Sequence, residues 1–540
     1  MSVQFERLSA GFISVDNVQG QALPKETRSL KQWLDNLPRG NAKEMAQMLR
    51  NALAHSIAVK MDGSIRFSLL EMLRPDVIDS VTWLERQFIG SPLPLTHDRL
   101  NNAKQTLELH ILLADSYRLA CYEICYPNGV IPMLRSGAVN GALARGIWHY
   151  QQALLMSWKL YQASMPGVWK GLHRLYQFAI FFKLGLKDID DPCLGRSVRI
   201  QDMYIETALM SLMNPYAFAQ TEQDLLRQVA KSFSSRCTIE RFNSSDNTAK
   251  IPIDADLPID ADLPDDEISY LVYSSFIAAL ELASQNIQAE QVLIELSKSQ
   301  SIALPITVLK KARRALGLSS ARIFTRVYAV YDIQTVVGLS GLHYFAAGQL
   351  DFESYIQKLS QMGTQGLNLT ADWMADMQLP KIVYGKVLDH SFGGYRILWS
   401  ADQALRVRVG EIVGLNANGA DAETVWMVGV IRWLRYEQDG SVIAGVKLLS
   451  RRGNAVALRI NQIGRTGNLM RGLELTPLAS DLPRRFLMSG RLEGSMQNVE
   501  VIYSYEPNRL GPPRQVEVLN TQSKNVASNM DYSLLLVQSS

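Results

Sequence analysis

The stretch that decides the fold of the second half of the chain is Ile382-Val-Tyr-Gly-Lys-Val-Leu388, followed directly by Asp389-His-Ser-Phe-Gly-Gly394 and Tyr395-Arg-Ile-Leu398. The first and last segments are rich in β-branched and aromatic residues, which favour strands. The middle segment has the pattern DxSxxG, and its polar residues and glycines are typical of a turn. The three segments therefore predict two strands joined by a polar turn.

An arginine pair stands upstream of this predicted hairpin. Arg322-Ile-Phe-Thr-Arg326 has the spacing RxxxR, and residues 327–337 after it are again strand-like and stop at a glycine. Downstream, Trp426 to Leu434 and Val442 to Leu449 are apolar runs on either side of Glu437-Gln-Asp-Gly440. Asp-Gly between two apolar runs predicts a hairpin. The region as a whole is therefore predicted to be rich in antiparallel strands.

These residue types suit a small anionic ligand that carries guanine. The guanidinium groups of Arg322 and Arg326 can bind phosphate oxygens with two parallel hydrogen bonds, and they also match the O6/N7 edge of guanine. The carboxylate of Asp389 only accepts hydrogen bonds and can take those of the guanine N1-H and N2-H groups. Ser391 can fix the turn or reach the ligand. Gly394 allows a close backbone approach or a positive φ.

In their order and context, the two motifs resemble the signature of PilZ domains, the bacterial receptors for cyclic di-GMP. The resemblance covers roughly residues 319–450 and implies a PilZ-like β-barrel there. It also implies a cyclic di-GMP site formed by Arg322, Arg326, Asp389, Ser391, Gly393 and Gly394. Arg313 and Arg314 are further candidates, because they belong to a basic cluster between Lys310 and Arg326 that can steer an anionic nucleotide towards the site. A basic helix surface explains Lys310 to Arg314 equally well.

Each motif also has a plain structural interpretation, because arginines at a helix end and an Asp-Ser turn are common by themselves. One feature departs from the family. The interval between Arg326 and Asp389 is longer than such domains usually have, and Leu342 to Met374 is predicted to be a helical or irregular insertion after the first strand. Such an insertion could cover or reshape the pocket.

Composition limits the class of protein. A chain of 540 residues should hold two to four domains, and 47% hydrophobic with 20% charged residues is typical of a folded soluble protein. A net charge of +3 does not favour a nucleic-acid partner. Four cysteines do not form a disulfide framework, and they are predicted to be buried or isolated rather than to bind metal. We find no leader and no long apolar run, so we expect a cytoplasmic protein without membrane insertion.

The first 242 residues are predicted to form an α-helical domain. Apolar residues recur at helical spacing in Lys104 to Cys125 and Ala142 to Ala163, with shorter helices before and after them. The wide apolar faces favour a bundle or a stack of helical hairpins. A solenoid remains open, although we find no fixed repeat period.

Residues 243–267 are predicted to be an acidic, flexible linker. This segment contains the tandem copies Pro252-Ile-Asp-Ala-Asp-Leu257 and Pro258-Ile-Asp-Ala-Asp-Leu263, and proline with like charge argues against a packed element. Residues 268–318 follow as connecting helices, predicted at Ile268 to Leu282, Ala289 to Lys298 and Pro305 to Leu316. Whether they belong to the helical domain or brace the barrel stays open.

Short strand-like segments separated by turns fill residues 451–540, which we assign to an additional β module. They could equally extend the first barrel. The fold class is therefore predicted as α+β, with a mostly helical N-terminal half and a C-terminal antiparallel β-barrel that has additional strands.

The functional prediction is a receptor that acts by binding. The chain contains no phosphate-binding Walker loop, no GxSxG elbow, no HExxH and no dinucleotide fingerprint, so no catalytic residues, metal ligands or cofactors are assigned. The PilZ resemblance implies a cyclic di-GMP receptor that passes its state to an unidentified protein partner and regulates bacterial motility, biofilm or virulence. The alternatives are an interaction scaffold whose barrel no longer binds ligand, and a nucleic-acid regulator, which the near-neutral charge disfavours.

Overall fold

The computed structural model describes most of the chain. The described ranges are 2–12, 23–243, 247–260, 268–285, 291–297, 300–316, 325–361, 379–403, 405–417, 425–462, 465–477, 483–490, 492, 496–505, 515–528 and 532–537. Two compact units divide the chain, Met1–Ala321 and Arg322–Ser540. The first is mainly helical and the second mainly β, which confirms the predicted α+β class.

The helical unit is organised around one long central helix. Its helices are α1 Val3–Leu8, α2 Thr27–Asp35, α3 Ala42–Ile57, α4 Gly63–Arg86, α5 His97–Cys125, α6 Ser136–Lys159, α7 Val168–Phe181, α8 Ile200–Leu212, α9 Gln220–Phe233, α10 Ser274–Ser284 and α11 Ile306–Leu316. Helix α5 packs against α3, α4 and α6 and is buried on nearly every side from Thr106 to Cys121. A helix that is buried around most of its circumference lies inside a bundle, so α5 forms the core of this unit.

Short strands also belong to the helical unit. They are β1 Ile189–Asp191, β2 Arg196–Val198, β3 Thr238–Glu240, β4 Thr248–Pro252, β5 Ile268–Val272, β6 Gln291–Ser297 and β7 Gln300–Pro305. The helix predicted over Ala289 to Lys298 is therefore wrong, because β6 pairs with β7 as an antiparallel hairpin. The helix predicted from Ile268 begins only at Ser274, since β5 pairs with β3 and β4. Cross-strand partners decide these segments, and their local apolar spacing fits either structure.

The acidic segment predicted to be a flexible linker is packed against the helical unit over residues 247–260. Ile251 in β4 is fully buried, and Asp254 forms an ion pair with Arg174 of α7 at 2.6 Å. Asp256 accepts hydrogen bonds of 2.6 and 3.1 Å from two backbone N–H groups at the start of α7. A carboxylate at a helix N-terminus is stabilised by free N–H groups and by the helix dipole. The linker prediction is wrong for these residues, because α7 offers partners that offset the repulsion between the aspartates.

A polar network lies inside the helical unit. Arg74 donates two hydrogen bonds, of 2.7 and 2.9 Å, to the carboxylate of Asp191, and both side chains are at most 1% exposed. The Nε of Arg74 also donates to Nε2 of His149 at 3.1 Å, so His149 carries its proton on Nδ1. That Nδ1 lies 2.9 Å from Nδ1 of His110, which therefore accepts the bond. Burial and the neighbouring Arg74 lower the pKa of His110 to about 3, so both histidines are neutral in the folded protein.

The second unit begins with a closed six-stranded antiparallel barrel, as predicted. Its strands are β8 Tyr331–Val337, β9 Val383–Ser391, β10 Gly394–Trp399, β11 Ile412–Asn416, β12 Met427–Tyr436 and β13 Val442–Ser450. The order around this first barrel is β10-β13-β12-β11-β8-β9. Strand β11 was not predicted, because its five residues carry no turn signal and little alternation. All five are buried, as expected of a short strand inside a barrel.

The predicted insertion after the first strand of the barrel is helical over its described residues. It contains α12 Leu339–Ala346 and α13 Phe352–Gln361, while residues 362–378 lie outside the described part. Helix α12 follows Val337, the last residue of β8, and the chain returns into β9 at Val383, which pairs with Thr335 near that same end. The Asp motif is at the other end of β9. The described insertion helices therefore start at the end of the barrel opposite to the motif.

The last strands form a separate sheet. They are β14 Gly453–Gln462, β15 Arg465–Thr466, β16 Met470–Leu475, β17 Arg485–Ser489, β18 Met496–Tyr505, β19 Gln515–Ser528 and β20 Tyr532–Val537. Their order is β15-β14-β16-β17-β20-β19-β18, and β14 also pairs with β18, so the sheet closes into a second barrel. Its outer residues Leu473, Leu475 and Leu487 share an apolar core with α12 and the first barrel. A second module, rather than an extension of the first sheet, therefore follows residue 450.

Candidate functional site

The DxSxxG motif forms the hairpin between β9 and β10. Ser391 and Gly394 are paired across the turn, and Phe392 and Gly393 are its two central residues. The register of β9 shifts at Leu388: Asp389 pairs with Arg396, whereas Val387 pairs with the buried Ile397, so the side chain of Asp389 lies on the face of Arg396 and not on the interior face of Val387. Only 2% of this side chain is exposed. A buried carboxylate requires charged or hydrogen-bonding partners, and arginines provide them here.

The arginine of the upstream motif reaches this carboxylate. Val327 and His390 exchange backbone hydrogen bonds of 2.8 and 3.0 Å, which fasten the segment before β8 to the end of β9. Arg326 precedes that bridge, and its Nη1 lies 3.2 Å from Oδ1 of Asp389. The structure thus brings Arg326 and Asp389 together, although they are far apart in the chain. Arg322 lies outside the described residues.

A second arginine at the site was missed at the sequence level. Arg396 is the cross-strand partner of Asp389 in the hairpin, and its Nε lies 2.7 Å from Oδ2 of the carboxylate. The N–H is not directed along that line, so the two atoms form an ion pair without a hydrogen bond. The signal was present in the sequence, because a two-residue turn at 392–393 places position 396 opposite position 389. The described cluster of Arg326, Arg396 and Asp389 carries one excess positive charge.

Aromatic rings line the opposite face of the same hairpin. The His390 ring stacks on Tyr395 with 5.9 Å between centroids, and the Tyr331 ring meets His390 edge to face at the same distance. Burial raises the pKa of both tyrosines. His390 therefore points away from Asp389. Its Nδ1 is buried and has no hydrogen-bond partner among the described residues.

The two glycines of the motif allow strands of the barrel to approach and bond to each other. A Cβ atom on Gly394 would lie 2.3 Å from the carbonyl oxygen of Val446, so β10 can approach β13 only with glycine at this position. The backbone N–H of Leu448 donates to the carbonyl oxygen of Gly393 at 2.9 Å. Close approach of strands, and not a positive φ, accounts for Gly394. Roles of Ser391, Gly393 and Gly394 in ligand contact stay predictions.

The turn also touches the junction between the two barrels. The guanidinium carbon of Arg451, the residue after β13, lies 4.6 Å from the centroid of the Phe392 ring. Phe392 is 48% exposed at the tip of the hairpin, so the pair lies at the surface. Burial raises the pKa of Tyr395 and the positive charge of Arg451 partly opposes this rise, so that charge acts on the aromatic face described above. The field of this arginine thus adds to that of Arg326 and Arg396.

The other candidate arginines belong to the helical unit. Arg313 and Arg314 lie in the last turns of α11, and in the same helix Lys311 Nζ binds the carboxylate of Glu222 at 2.7 Å. Both arginines belong to the first unit, so a contribution of their side chains to the ligand site stays a prediction.

No described residues suggest a metal site or a membrane span. Groups of three or more histidine, cysteine, aspartate or glutamate side chains at metal-binding distance do not occur among the described residues. In the same part of the chain, no helix is both long enough and apolar enough to cross a bilayer. Cys121, Cys125 and Cys237 are buried thiols and Cys193 is exposed.

Comparison with known proteins gives the same arrangement of domains. A family model described as the N-terminal domain of the cyclic-di-GMP receptor FimW matches residues 28–245, and the model of the middle PilZ domain of that receptor matches residues 265–378 and 370–454. The cyclic-di-GMP receptor FimW of Pseudomonas aeruginosa is 23% identical over 515 residues, which cover 85% of this chain and 82% of that relative. The helical unit and the first barrel agree with these matches. The chain therefore belongs to the PilZ-domain cyclic di-GMP receptor family, in the branch that carries a helical N-terminal domain.

Proposed function

We propose that this chain binds cyclic di-GMP at the hairpin of the first barrel. The observation that carries the proposal is the buried carboxylate of Asp389 between two half-exposed arginines, Arg326 and Arg396. Cyclic di-GMP supplies both phosphodiester charges for guanidinium groups and a guanine edge with two donors for a carboxylate. The site therefore matches both chemical features of the ligand.

When the ligand binds, one of the two arginines exchanges the carboxylate of Asp389 for a phosphate group of the ligand. Arg326 turns from Asp389 to a phosphate oxygen, while Arg396 keeps the buried carboxylate paired. Oδ2 of Asp389 makes no hydrogen bond with a described residue and accepts from guanine. Arg322, Ser391, Gly393 and Gly394 complete the site, and the rings of Tyr331, His390 and Tyr395 offer flat surfaces for base stacking, which contributes about 1–3 kcal/mol per base.

The helical unit transmits the bound state. We assign residues 1–242 to a helical domain, 319–450 to the sensing barrel and 451–540 to the β module. Between the first two are residues 243–318, whose described apolar side chains share the core of the helical unit. The basic segment from Lys310 to Arg326 joins α11 to the barrel, so ligand phosphates neutralise charge at the point where the two units are connected. A ligand shifts only a state that it binds preferentially, and here that state holds residues 325–331 on the barrel. The output is a protein contact in the cytoplasm, without turnover of the nucleotide, that regulates motility, biofilm or virulence.

The alternative is an interaction scaffold whose barrel does not bind ligand. The long insertion after β8 favoured it. Its described helices α12 and α13 pack against the second barrel and start at the end opposite to the motif, so these two helices do not support the alternative.

Calorimetric titration of the purified full-length chain tests the binding proposal. We expect saturable binding of cyclic di-GMP and much weaker binding of cyclic di-AMP, because only guanine presents the two donors that Asp389 accepts. Absence of binding to cyclic di-GMP would favour the scaffold. Equal affinities for both nucleotides would contradict the role of Asp389.

Hydrogen–deuterium exchange with and without cyclic di-GMP tests the transmission step. Slower exchange is expected at residues 325–331 and 387–396, together with a change in the segments between 268 and 316. Slower exchange confined to the two barrel segments would leave binding intact and contradict this route of transmission.

A further inference from the structure

A small cavity lies in the helical unit where α4, α6, α8 and α9 meet. Its volume is about 110 Å³, and its wall includes Glu85 of α4, Gln152 of α6, Met210 of α8 and Gln223 of α9. A cavity of about 150 Å³ holds benzene with its six non-hydrogen atoms, so this cavity has room for about four or five. It is therefore large enough for a compact organic ion and too small for a nucleotide.

Two amide side chains of the cavity wall have buried polar atoms that lack a hydrogen bond. Gln223 is 2% exposed, and its Nε2 donates to the carbonyl oxygens of Trp158 and Pro215 at 3.1 and 3.0 Å. Those bonds fix the orientation of the amide, and its buried Oε1 accepts no hydrogen bond from a described residue. The Nε2 atom of Gln152 is likewise buried and unbonded within the described part of the chain. Because such atoms destabilise the fold unless they find a partner, the cavity favours a polar occupant.

The cavity wall also carries a carboxylate without a partner. Glu85 is half-buried, and it forms neither an ion pair nor a hydrogen bond with any residue of the described ranges. It lies in the last turn of α4, where the helix dipole disfavours a negative charge. Burial raises the pKa of Glu85, although the positive charges of Lys159 and Arg227 oppose this rise. The surroundings of this carboxylate therefore disfavour its charge unless a cation binds beside it.

The basic groups beside the cavity are paired with other acids. Nζ of Lys159 lies 2.7 Å from Oδ1 of Asp224, and Nε of Arg227 donates to Oε1 of Glu206 at 2.8 Å. These two pairs are neutral, so the charge of Glu85 is left in excess among the described residues of the wall. A negative excess charge beside a free amide oxygen favours a cationic ligand that has N–H donors.

We propose that this cavity binds a compact guanidinium cation, with the carboxylate of Glu85 and the amide oxygen of Gln223 as acceptors. A guanidinium group is planar, directs N–H donors to several sides and binds a carboxylate with two parallel hydrogen bonds. Glu85 accepts two of these donors and Oε1 of Gln223 accepts another. Gln152 makes no hydrogen bond with a described residue, so its amide can turn its oxygen towards the ligand. The site belongs to the helical unit, so its test does not depend on ligand binding at the barrel.

Saturation-transfer difference NMR on the full-length chain tests the proposal, with methylguanidine as the probe. N-methylurea has the same size and shape but no charge, and tetramethylammonium has the charge but no N–H donor. We expect methylguanidine to bind saturably and each comparator to bind about tenfold more weakly or worse, because each lacks one component of a charge-assisted hydrogen bond. Nα-acetylarginine amide distinguishes the source of the group. If it binds as tightly as methylguanidine, the site takes an arginine side chain, and if it binds more weakly, the site takes a free cation.

Glu85→Gln keeps the size of the side chain and removes its charge. It should lower the affinity for methylguanidine by about tenfold or more. The free energy of unfolding without ligand should stay unchanged or rise, because an unpaired, half-buried carboxylate is removed. Gln152→Lys places an ammonium group in the cavity and should abolish binding of the probe. Asp79→Asn is the matched control, since it removes an exposed carboxylate from the same helix outside the cavity.

Binding of methylguanidine that Glu85→Gln weakens and Asp79→Asn preserves supports the site. The site is refuted if the parent chain does not bind methylguanidine, or if N-methylurea or tetramethylammonium binds equally well. It is also refuted if Glu85→Gln, or Gln152→Lys shown to be folded by urea denaturation, binds the probe as the parent does. None of these outcomes bears on the barrel, where titration with cyclic di-GMP decides the proposed function separately.

Discussion

The sharpest consequence of the site geometry concerns Arg326→Ala. This arginine is 37% exposed and lies 3.2 Å from a carboxylate that Arg396 also holds at 2.7 Å. Removal of Arg326 therefore leaves Asp389 paired, and a half-exposed ion pair contributes at most about 1 kcal/mol to folding. A charge-assisted hydrogen bond to phosphate is worth about 1.5–3 kcal/mol. The affinity for cyclic di-GMP should thus fall by about tenfold to a hundredfold, with little loss of stability.

Calorimetric titration measures the affinity, and urea denaturation of the same preparations measures the free energy of unfolding. Arg435→Ala is the control, because it removes an arginine of similar exposure from an ion pair on the same barrel. The reasoning is refuted if Arg326→Ala binds cyclic di-GMP as the parent does. It is also refuted if the affinity falls only in proportion to a loss of stability that Arg435→Ala does not show.

Three further predictions concern stability. Gly394→Ala should lower the free energy of unfolding of the barrel unit by about 1–3 kcal/mol, because the added Cβ meets the Val446 carbonyl oxygen at 2.3 Å; urea denaturation measures it. Asp256→Ala should cost the helical unit about 0.5–2 kcal/mol, since it removes the cap of α7, and should speed cleavage of residues 247–260 in limited proteolysis. Acidification from pH 7.5 to 5 should destabilise the helical unit, because the folded pKa of His110 is about 3 against 6.5 when unfolded. That stability is complete above pH 6.5 and is lost at up to about 1.4 kcal/mol per pH unit for each buried histidine below it.

Each of these has a contradicting outcome. Parent-like stability of Gly394→Ala would mean that β10 and β13 do not approach as closely as described. Asp35→Ala, at the exposed end of α2, is the control for Asp256→Ala, and equal effects of the two would exclude the cap. His110→Gln should flatten the acid limb of the stability curve, and an unchanged slope would show that other groups cause it.

Much of the β half was predictable because its signals are local. Alternating β-branched and aromatic residues, interrupted by Asp-Gly or Ser-Phe-Gly-Gly, place strands and turns without knowledge of their neighbours. The positions of Arg326 and Asp389 in a shared site followed from their resemblance to a known pair of motifs. The helical unit was similarly accessible, since α5 and α6 show apolar spacing over many turns.

The errors arose where a distant segment supplies the decisive partner. Residues 291–297 have apolar positions that fit a helix or a strand, and pairing with β7 selects the strand. Asp254 and Asp256 looked like residues of a repelling, mobile segment, but Arg174 and the start of α7 hold them. In both cases the local sequence pattern does not contain the distant segment whose contacts decide the structure.

The sequence by itself determined five of the six strands of the first barrel, the long helices of the bundle and the chemistry of the DxSxxG hairpin, because propensity, periodicity and turn residues act over a few positions. Only the tertiary structure decided that Arg396 joins Arg326 at Asp389, that residues 247–260 pack on α7, and that β14 pairs with β18 to close a second barrel. These features depend on strand register and on contacts between segments tens to hundreds of residues apart. Such contacts form only when the whole chain has paid the entropy of bringing those segments together.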